Sequence, residues 1–386
     1  MDVAIIGAGP AGSTLAALLA ERGIQVTLFD KDTFPRDKLC GEFLSYDALP
    51  VLEPLGVVDA IDRAGAPRIE RCRVIGARTY EFALPHPARG VSRLFFDDLL
   101  LRTAERRGAE RRDGVTVAAV ARTEGGWRLA VGGSEIIAPV VVGAWGRWGR
   151  FDQQLERSFV HVKDRNFGFK RHYVPSPANH QPPAANQTID LYSFRRGYLG
   201  VNAVEDGVTN ICGLVHASRL EGHKGRWDAF VEQLRAEEPR LEELYARYEP
   251  AQEHFLSSEP VIFRARSPVE HGVFMVGDAS GVIDPLTGNG MAMAVQSALL
   301  AAPRILRLVE NPSRRGEIEN EYREMHRAFF GPRIRWSRRV AALLSRPRLL
   351  DAALSTVRSQ GIGAALLRRT RASREEVSRF AAAWFC

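Results

Sequence analysis

Cysteine is scarce: the 386 residues contain four, Cys40, Cys72, Cys212 and Cys386. They are scattered, with no CxxC pair and no metal-ligand spacing, so neither a dithiol redox centre nor a structural metal site is expected. Scattered free thiols fit a reducing cytoplasm. Long apolar runs are also missing. None reaches the eighteen or so residues that a membrane helix needs, and no span is expected. The apolar stretch from Val3 to Ile6 has no basic segment before it and a glycine turn after it, so it reads as a buried strand and not as a targeting peptide. Lysine is absent from residues 331–386, where twelve arginines stand against three acids, Asp351, Glu375 and Glu376. That segment therefore carries +9, and the remainder carries −2 of the overall +7. The basic balance belongs to the tail. No strand interleaves aromatic and basic residues, and a nucleic-acid partner is not expected.

What is present begins with Gly7-Ala8-Gly9-Pro10-Ala11-Gly12. An apolar strand over residues 2–6 precedes it, a helix over 13–22 follows, and a second strand over 25–29 ends at Asp30. This is a βαβ unit with its glycines in the first turn. Gly7 allows the tight turn, Gly9 lets a pyrophosphate approach the backbone, and Gly12 lets helix and strand pack closely. The helix N-terminus offers free N–H groups and partial positive charge to the phosphates. Asp30 stands at the strand end, where an acid takes ribose hydroxyls.

Two further segments fit the same cofactor. Phe34-Pro35-Arg36-Asp37-Lys38-Leu39-Cys40-Gly41 reads as a loop, because Pro35 and its predecessor disfavour helix. Arg36 and Lys38 bring positive charge towards the pyrophosphate, and Arg93, just before a helical run, can reach it too. Late in the chain an apolar strand over 272–276 runs into Gly277-Asp278. Pro285 and Gly288-Asn289-Gly290 then open a long helix over 291–308. An acid at that strand end can accept from a ribityl hydroxyl. The helix N-terminus favours the negative charge of a reduced flavin. The pair of distant motifs points to FAD, bound non-covalently. No second glycine fingerprint follows a strand, so no dedicated NAD(P)H domain is expected. Between the motifs, residues 115–120, 127–131 and 135–142 read as a three-stranded meander with turns at Gly125-Gly126 and Gly132-Gly133.

Together these residues resemble the single-component flavoprotein oxidoreductases with the p-hydroxybenzoate hydroxylase fold. That superfamily includes aromatic and polyketide hydroxylases, flavin-dependent halogenases and geranylgeranyl reductases. The string Pro35-Arg36-x-Lys38-x-Cys40-Gly41 is most similar to the geranylgeranyl reductase branch. The resemblance implies that Gly7, Gly9, Gly12, Asp30, Arg36, Arg93, Asp278 and Gly288–Gly290 bind FAD. Pro10, Ala11, Lys31, Gly41, Val120 and Pro285 complete the candidate set. Two departures stand out. Hydroxylases carry Ala-Asp-Gly after the meander, whereas this chain reads Ala144-Trp145-Gly146, which counts against direct docking of NADPH. Halogenases carry Trp-x-Trp-x-Ile-Pro, which is absent here, and halogenation is not expected.

The expected fold is α/β: a Rossmann-type FAD-binding lobe with a three-stranded meander, an antiparallel-sheet substrate lobe and a helical C-terminal tail. The FAD lobe is assigned residues 1–46, 90–152 and 258–330, the substrate lobe 47–89 and 153–257, and the tail 331–386. Strands are expected over 167–173, 188–194, 198–204 and 210–215, with an amphipathic helix over 226–248. Lys170, His172, Tyr192, Tyr198 and Asn202 are the candidate pocket residues, and Cys40, His172 and Tyr198 the candidate catalytic ones. No metal is expected. The tail, broken at Pro347 and at Gly361 and Gly363, either caps the pocket or contacts an anionic membrane surface. The reading is an FAD-dependent oxidoreductase of the cytoplasm, with NAD(P)H or a separate reductase as electron donor. Its expected reaction is hydroxylation of a hydrophobic aromatic or polyketide-like metabolite. The alternatives are an ene-reductase acting on an isoprenoid chain, and an FAD-binding protein without turnover.

Overall fold

The computed structural model describes residues 1–76, 78–162, 165–177, 187–223, 225–355 and 367–385. The first lobe is built on a six-stranded sheet. Its strands run in the order Val269–Glu270, Val273–Met275, Val140–Gly143, Val3–Ile6, Val26–Phe29 and Glu110–Arg112. All neighbours are parallel except the first pair. The central strand is buried at every position, as a parallel strand covered on both faces must be. Helix Pro10–Glu21 packs on this sheet through Leu15, Leu18 and Leu19. A Cβ on Gly12 would stand 1.9 Å from the Gly7 carbonyl oxygen, and one on Gly7 would stand 2.3 Å from that of Ala144. Only glycine lets the turn and helix close on the sheet at these two points.

The meander is present as Val117–Thr123, Gly126–Val131 and Ser134–Ala138. The single strand expected over 135–142 is two strands. Pro139 supplies no N–H to continue the ladder, and Val140–Gly143 leaves the meander to join the parallel sheet.

The second sheet carries a path of eight strands: Tyr248–Pro250, Asn166–Pro175, Thr209–His216, Gly197–Ala203, Thr188–Phe194, Arg68–Ile75, Thr79–Gly90 and Phe43–Leu44. One face is covered by two helices, Trp227–Glu237 and Pro239–Tyr245, over Phe169, Leu199, Val201 and Ile211. The one helix expected over 226–248 divides because Pro239 cannot donate within it. The opposite face looks towards the first lobe and presents Lys170, His172, Tyr198, Asn202 and Asn210. Tyr192 does not join them. It pairs with Leu199 and packs with the helix-covered cluster, so the sheet turns it away from the candidate pocket.

The tail is not a separate appendage. Helix Arg315–Leu344 runs straight through residue 331, and Pro347–Ser355 and Arg374–Phe385 follow. Ala341, Leu344 and Leu350 press onto the apolar part of the second sheet, against a cluster containing Cys72, Val74 and Leu214. Gly361, Gly363 and Cys386 lie outside the described residues. Helix Gly290–Glu310 is long and apolar enough to cross a membrane, but most of it is buried inside the protein. It is apolar because it forms the core of the first lobe.

Candidate functional site

The site is laid out along the path from the first glycine turn to the start of helix Gly290–Glu310. At the near end Gly9 caps helix Pro10–Glu21. A Cβ on Gly9 would have only two neighbours within 4 Å, the guanidinium ends of Arg93 at 3.8 Å and Arg36 at 3.9 Å. Both arginines converge on one buried carboxylate. Arg36 Nη1 donates to Asp97 Oδ2 at 2.5 Å, and Arg93 donates to both Asp97 oxygens at 2.6 Å. Burial works against the Arg93 charge, but Asp97 beside it outweighs burial and holds the group protonated. Arg36 also lies 3.5 Å from Asp32 and 3.8 Å from Asp30, so three carboxylates face the two cations, while the guanidinium ends beside Gly9 and the helix N-terminus offer N–H donors to a pyrophosphate. Asp30 Oδ2 accepts from the Ala8 N–H at 2.7 Å, and Oδ1 accepts from Asp32 N–H at 3.0 Å. Lys31 is exposed beside it. Lys38 pairs with Asp32 at 2.5 Å.

At the far end Gly277, at φ +62°, carries the chain from its strand into Asp278. The Asp278 carboxylate is partly exposed and makes no hydrogen bond among the described residues. Pro285 opens a single turn whose Leu286 N–H is held by Asp284 Oδ1 at 3.1 Å. Gly288 has φ +60°, and a Cβ there would meet the Phe43 ring at 2.7 Å. Around Gly290 and Gly41 the space is open: among the described residues, none beyond the chain neighbours and the helix's own backbone comes within 4 Å of where a Cβ would stand. Asn289 directs its side chain inward. Its Nδ2 donates to both Asp47 oxygens, at 3.1 and 3.2 Å, and its Oδ1 accepts from Arg333. Gln296 and the Ala372 N–H also donate to Asp47, and Arg371 reaches Ser45 and Thr287. This knot ties the tail to the start of the helix. The sequence offered no sign of it, because Asp47, Arg333 and Arg371 are far apart and lie in no motif.

Between the two ends stands Glu42, wholly buried and at φ +54°, a left-handed conformation that a glutamate holds only when its surroundings fix it. Its Oε1 accepts from Lys170 Nζ at 2.6 Å and from Arg93 N–H at 2.7 Å. Its Oε2 lies 2.7 Å from His172 Nε2. Lys170 Nζ also donates to Asp37 Oδ1 at 2.6 Å. Asp37, Glu42 and His172 could form a metal triad by position, but the Lys170 ammonium already stands between the two carboxylates. Burial disfavours the Lys170 charge, yet Glu42 and Asp37 outweigh it and push its pKa up. Cys40 Sγ accepts from the Glu42 N–H at 3.3 Å. Burial raises the Cys40 thiol pKa, with Arg93 opposing, so the thiol is neutral. Asn210 Nδ2 donates to the Cys40 carbonyl at 3.1 Å. The Oδ1 atoms of Asn202 and Asn210 are buried without a partner among the described residues, side by side on adjacent strands.

The structure thus brings His172 to the Glu42 carboxylate and Cys40 to the Glu42 backbone N–H, and sets Tyr198 apart. Tyr198 donates to Asp284 Oδ1 at 2.9 Å, and burial together with Asp284 raises its pKa well above the ordinary value. Val120 lies in the meander, packed near Trp127. Trp145 fills space and holds the turn after its strand. Its ring lies over Gly143 and Gly149, and its Nε1 donates to Asp152 at 3.1 Å.

A glycine with free space at a helix end flanked by two guanidiniums, an acid at each of two strand ends, open backbone at Gly41 and Gly290, and orphaned buried acceptors together suit an adenine dinucleotide with a flavin. These features define a flavoprotein. Residues 1–329 match the FAD binding domain family, and the chain belongs to it. A tryptophan 2-halogenase of Chondromyces crocatus is 24% identical over 88% of this chain and 67% of its own length. A menaquinone reductase of Mycolicibacterium smegmatis is 28% identical over 78% and 75%. Among solved structures, the myxobacterial chondrochloren halogenase CndH superposes with a TM-score of 0.77 at 21% identity, covering 99% of this chain and 96% of the other. That likeness establishes the fold. The protein is an FAD-dependent oxidoreductase of this superfamily.

Proposed function

We propose that the protein is a flavin-dependent monooxygenase that hydroxylates a hydrophobic molecule bearing an aromatic hydroxyl. FAD would be held by the Gly7–Gly12 turn, Asp30, Arg36, Arg93, Asp278 and the Gly288–Gly290 backbone, and when bound and reduced it supplies the redox chemistry. The observation that carries the reading is the buried His172–Glu42 pair, set in a polar patch with Lys170, Asn202 and Asn210 that borders an apolar cluster of Phe43, Val74, Leu214 and Phe263. Such a border can engage a phenolic hydroxyl at its polar side while a hydrocarbon chain lies on the apolar cluster. A histidine oriented by a buried carboxylate can take the proton of a phenolic hydroxyl, which makes the ring carbons electron-rich. Lys170 compensates one of the two charges of Glu42 and Asp37, and the proton held by His172 would compensate the other. Trp145, engaged with Asp152, supplies no carboxylate for NADPH, which favours a separate reductase as donor.

A second reading rests on Cys40. A thiol kept neutral beside Arg93 and Glu42 is a proton donor, which suits saturation of a carbon–carbon double bond, and the similar menaquinone reductases favour it. The test is oxygen consumption by FAD-loaded, chemically reduced protein with long-chain alkylphenols. Substrate-dependent oxygen uptake that falls about a hundredfold or more in His172→Gln, with FAD retained, supports the first reading. Anaerobic reoxidation by menaquinone, with no response to any phenol, would replace it with the second.

A further inference from the structure

The outer face of the tail is not absorbed by this site. On helix Arg315–Leu344, Ile334, Ser337, Ala341 and Leu344 point inward and are buried. Arg335, Arg338 and Arg339 point outward and are exposed, at the spacing that places them along one side of the helix, and Arg346, exposed in the turn after it, follows them. Arg348 and Leu349 continue this surface at the next helix, and Leu349 is 53% exposed. Trp336 is stacked between Arg339 and Arg369, at 5.2 and 4.5 Å, which brings the 368–369 segment to the same place. The tail's ion pairs to Asp47 and Glu53 use other arginines, Arg333 and Arg374. No acidic residue occurs between Glu324 and Asp351.

We propose that this face docks on an anionic lipid bilayer. Arginines spread from the last three turns of this helix across the turn into the next, with no acids among them, match the charge of a headgroup layer rather than of one acidic side chain. An exposed leucine and an arginine-flanked tryptophan are the apolar contacts that an interfacial helix adds to charge. The same helices press Ala341, Leu344 and Leu350 onto the apolar face of the second sheet, so the docking surface and the proposed hydrophobic chamber are separated by one layer of helix. The docking surface does not depend on which flavin reaction occurs.

The test is co-sedimentation of the FAD-loaded protein with vesicles of phosphatidylcholine alone or with about one quarter phosphatidylglycerol. Binding to the anionic vesicles is expected to exceed binding to the neutral ones by about tenfold, and to fall at about 0.5 M salt. The variant Arg338→Gln/Arg339→Gln/Arg346→Gln/Arg348→Gln should lose most of this binding while keeping FAD and wild-type melting. Equal sedimentation with both vesicles, none with either, or unchanged binding by a folded quadruple variant would overturn the proposal. So would retention on an acidic carrier protein without vesicle binding. If the variant fails to fold, the lipid and salt comparisons on the wild type decide alone.

Discussion

Replacing Asp47 by alanine should loosen the tail and weaken FAD binding together. Asp47 is fully buried and accepts from Asn289, Gln296, Arg333 and the Ala372 N–H. Its loss leaves the buried Arg333 guanidinium, already depressed to about 10 by its burial, without its nearest carboxylate. Removing one partner of a buried ion pair costs about 3–5 kcal/mol. For a chain of this size that corresponds to a drop of roughly 4–6 °C in Tm. Burial works to raise the Asp47 pKa, but Arg333 and Arg371 outweigh it and hold the carboxyl below its usual range. The stabilisation is therefore fully present above the unfolded-state value of about 3.9 and is lost as pH falls through the lower folded value. Wild type and Asp47→Ala should differ fully at pH 7 and converge below about pH 4. FAD affinity should fall as well, because Asn289 at the helix start loses its anchor. Thermal unfolding by circular dichroism across this pH range, with FAD titration by flavin fluorescence, reads both effects. A variant that melts within about 1 °C of wild type at pH 7, with unchanged FAD affinity, would refute the reasoning.

Gly9→Val should abolish FAD retention while leaving the fold intact, since its side chain would enter only the space before Arg36 and Arg93; a yellow purified variant counts against the cradle. Burial depresses His326 from 6.5 to about 3, so the unfolded chain binds the proton first and stability falls as pH drops from about 6.5 towards 3. His326→Gln should be less sensitive by about 2 kcal/mol between pH 6.5 and 5, measured by urea unfolding. Cys40→Ala should keep near-normal turnover if the monooxygenase reading holds; a loss of about a hundredfold with FAD retained marks the thiol as a proton donor.

The cofactor end of the fold was legible because its physics is local. A glycine turn, a helix N-terminus and an acid at a strand end are adjacent in sequence, as are Gly277-Asp278 and Gly288–Gly290. The strands of the second sheet from 167 onward were legible by alternation. The long strands Arg68–Ile75 and Thr79–Gly90 were not, because arginines and glutamates break their apolar pattern and their buried positions are set by partners. Glu42 went unassigned for a related reason. It follows Cys40-Gly41 as an ordinary loop acid, and its partners Lys170 and His172 arrive from a strand some 130 residues away. The Arg-rich tail read as a possible surface element, yet Arg333 and Arg371 are buried. Composition shows how many arginines there are but not which of them a buried aspartate captures.

The proposed reaction is transfer of one oxygen atom to a hydrophobic phenol beside His172 and Glu42. The direct measurement is turnover of a long-chain alkylphenol by the FAD-loaded protein under ¹⁸O₂, with the product read by mass spectrometry. A product carrying one ¹⁸O atom is expected, formed at a rate that collapses in His172→Gln. A product that carries only oxygen from water, or that gains two hydrogens and no oxygen, would contradict it.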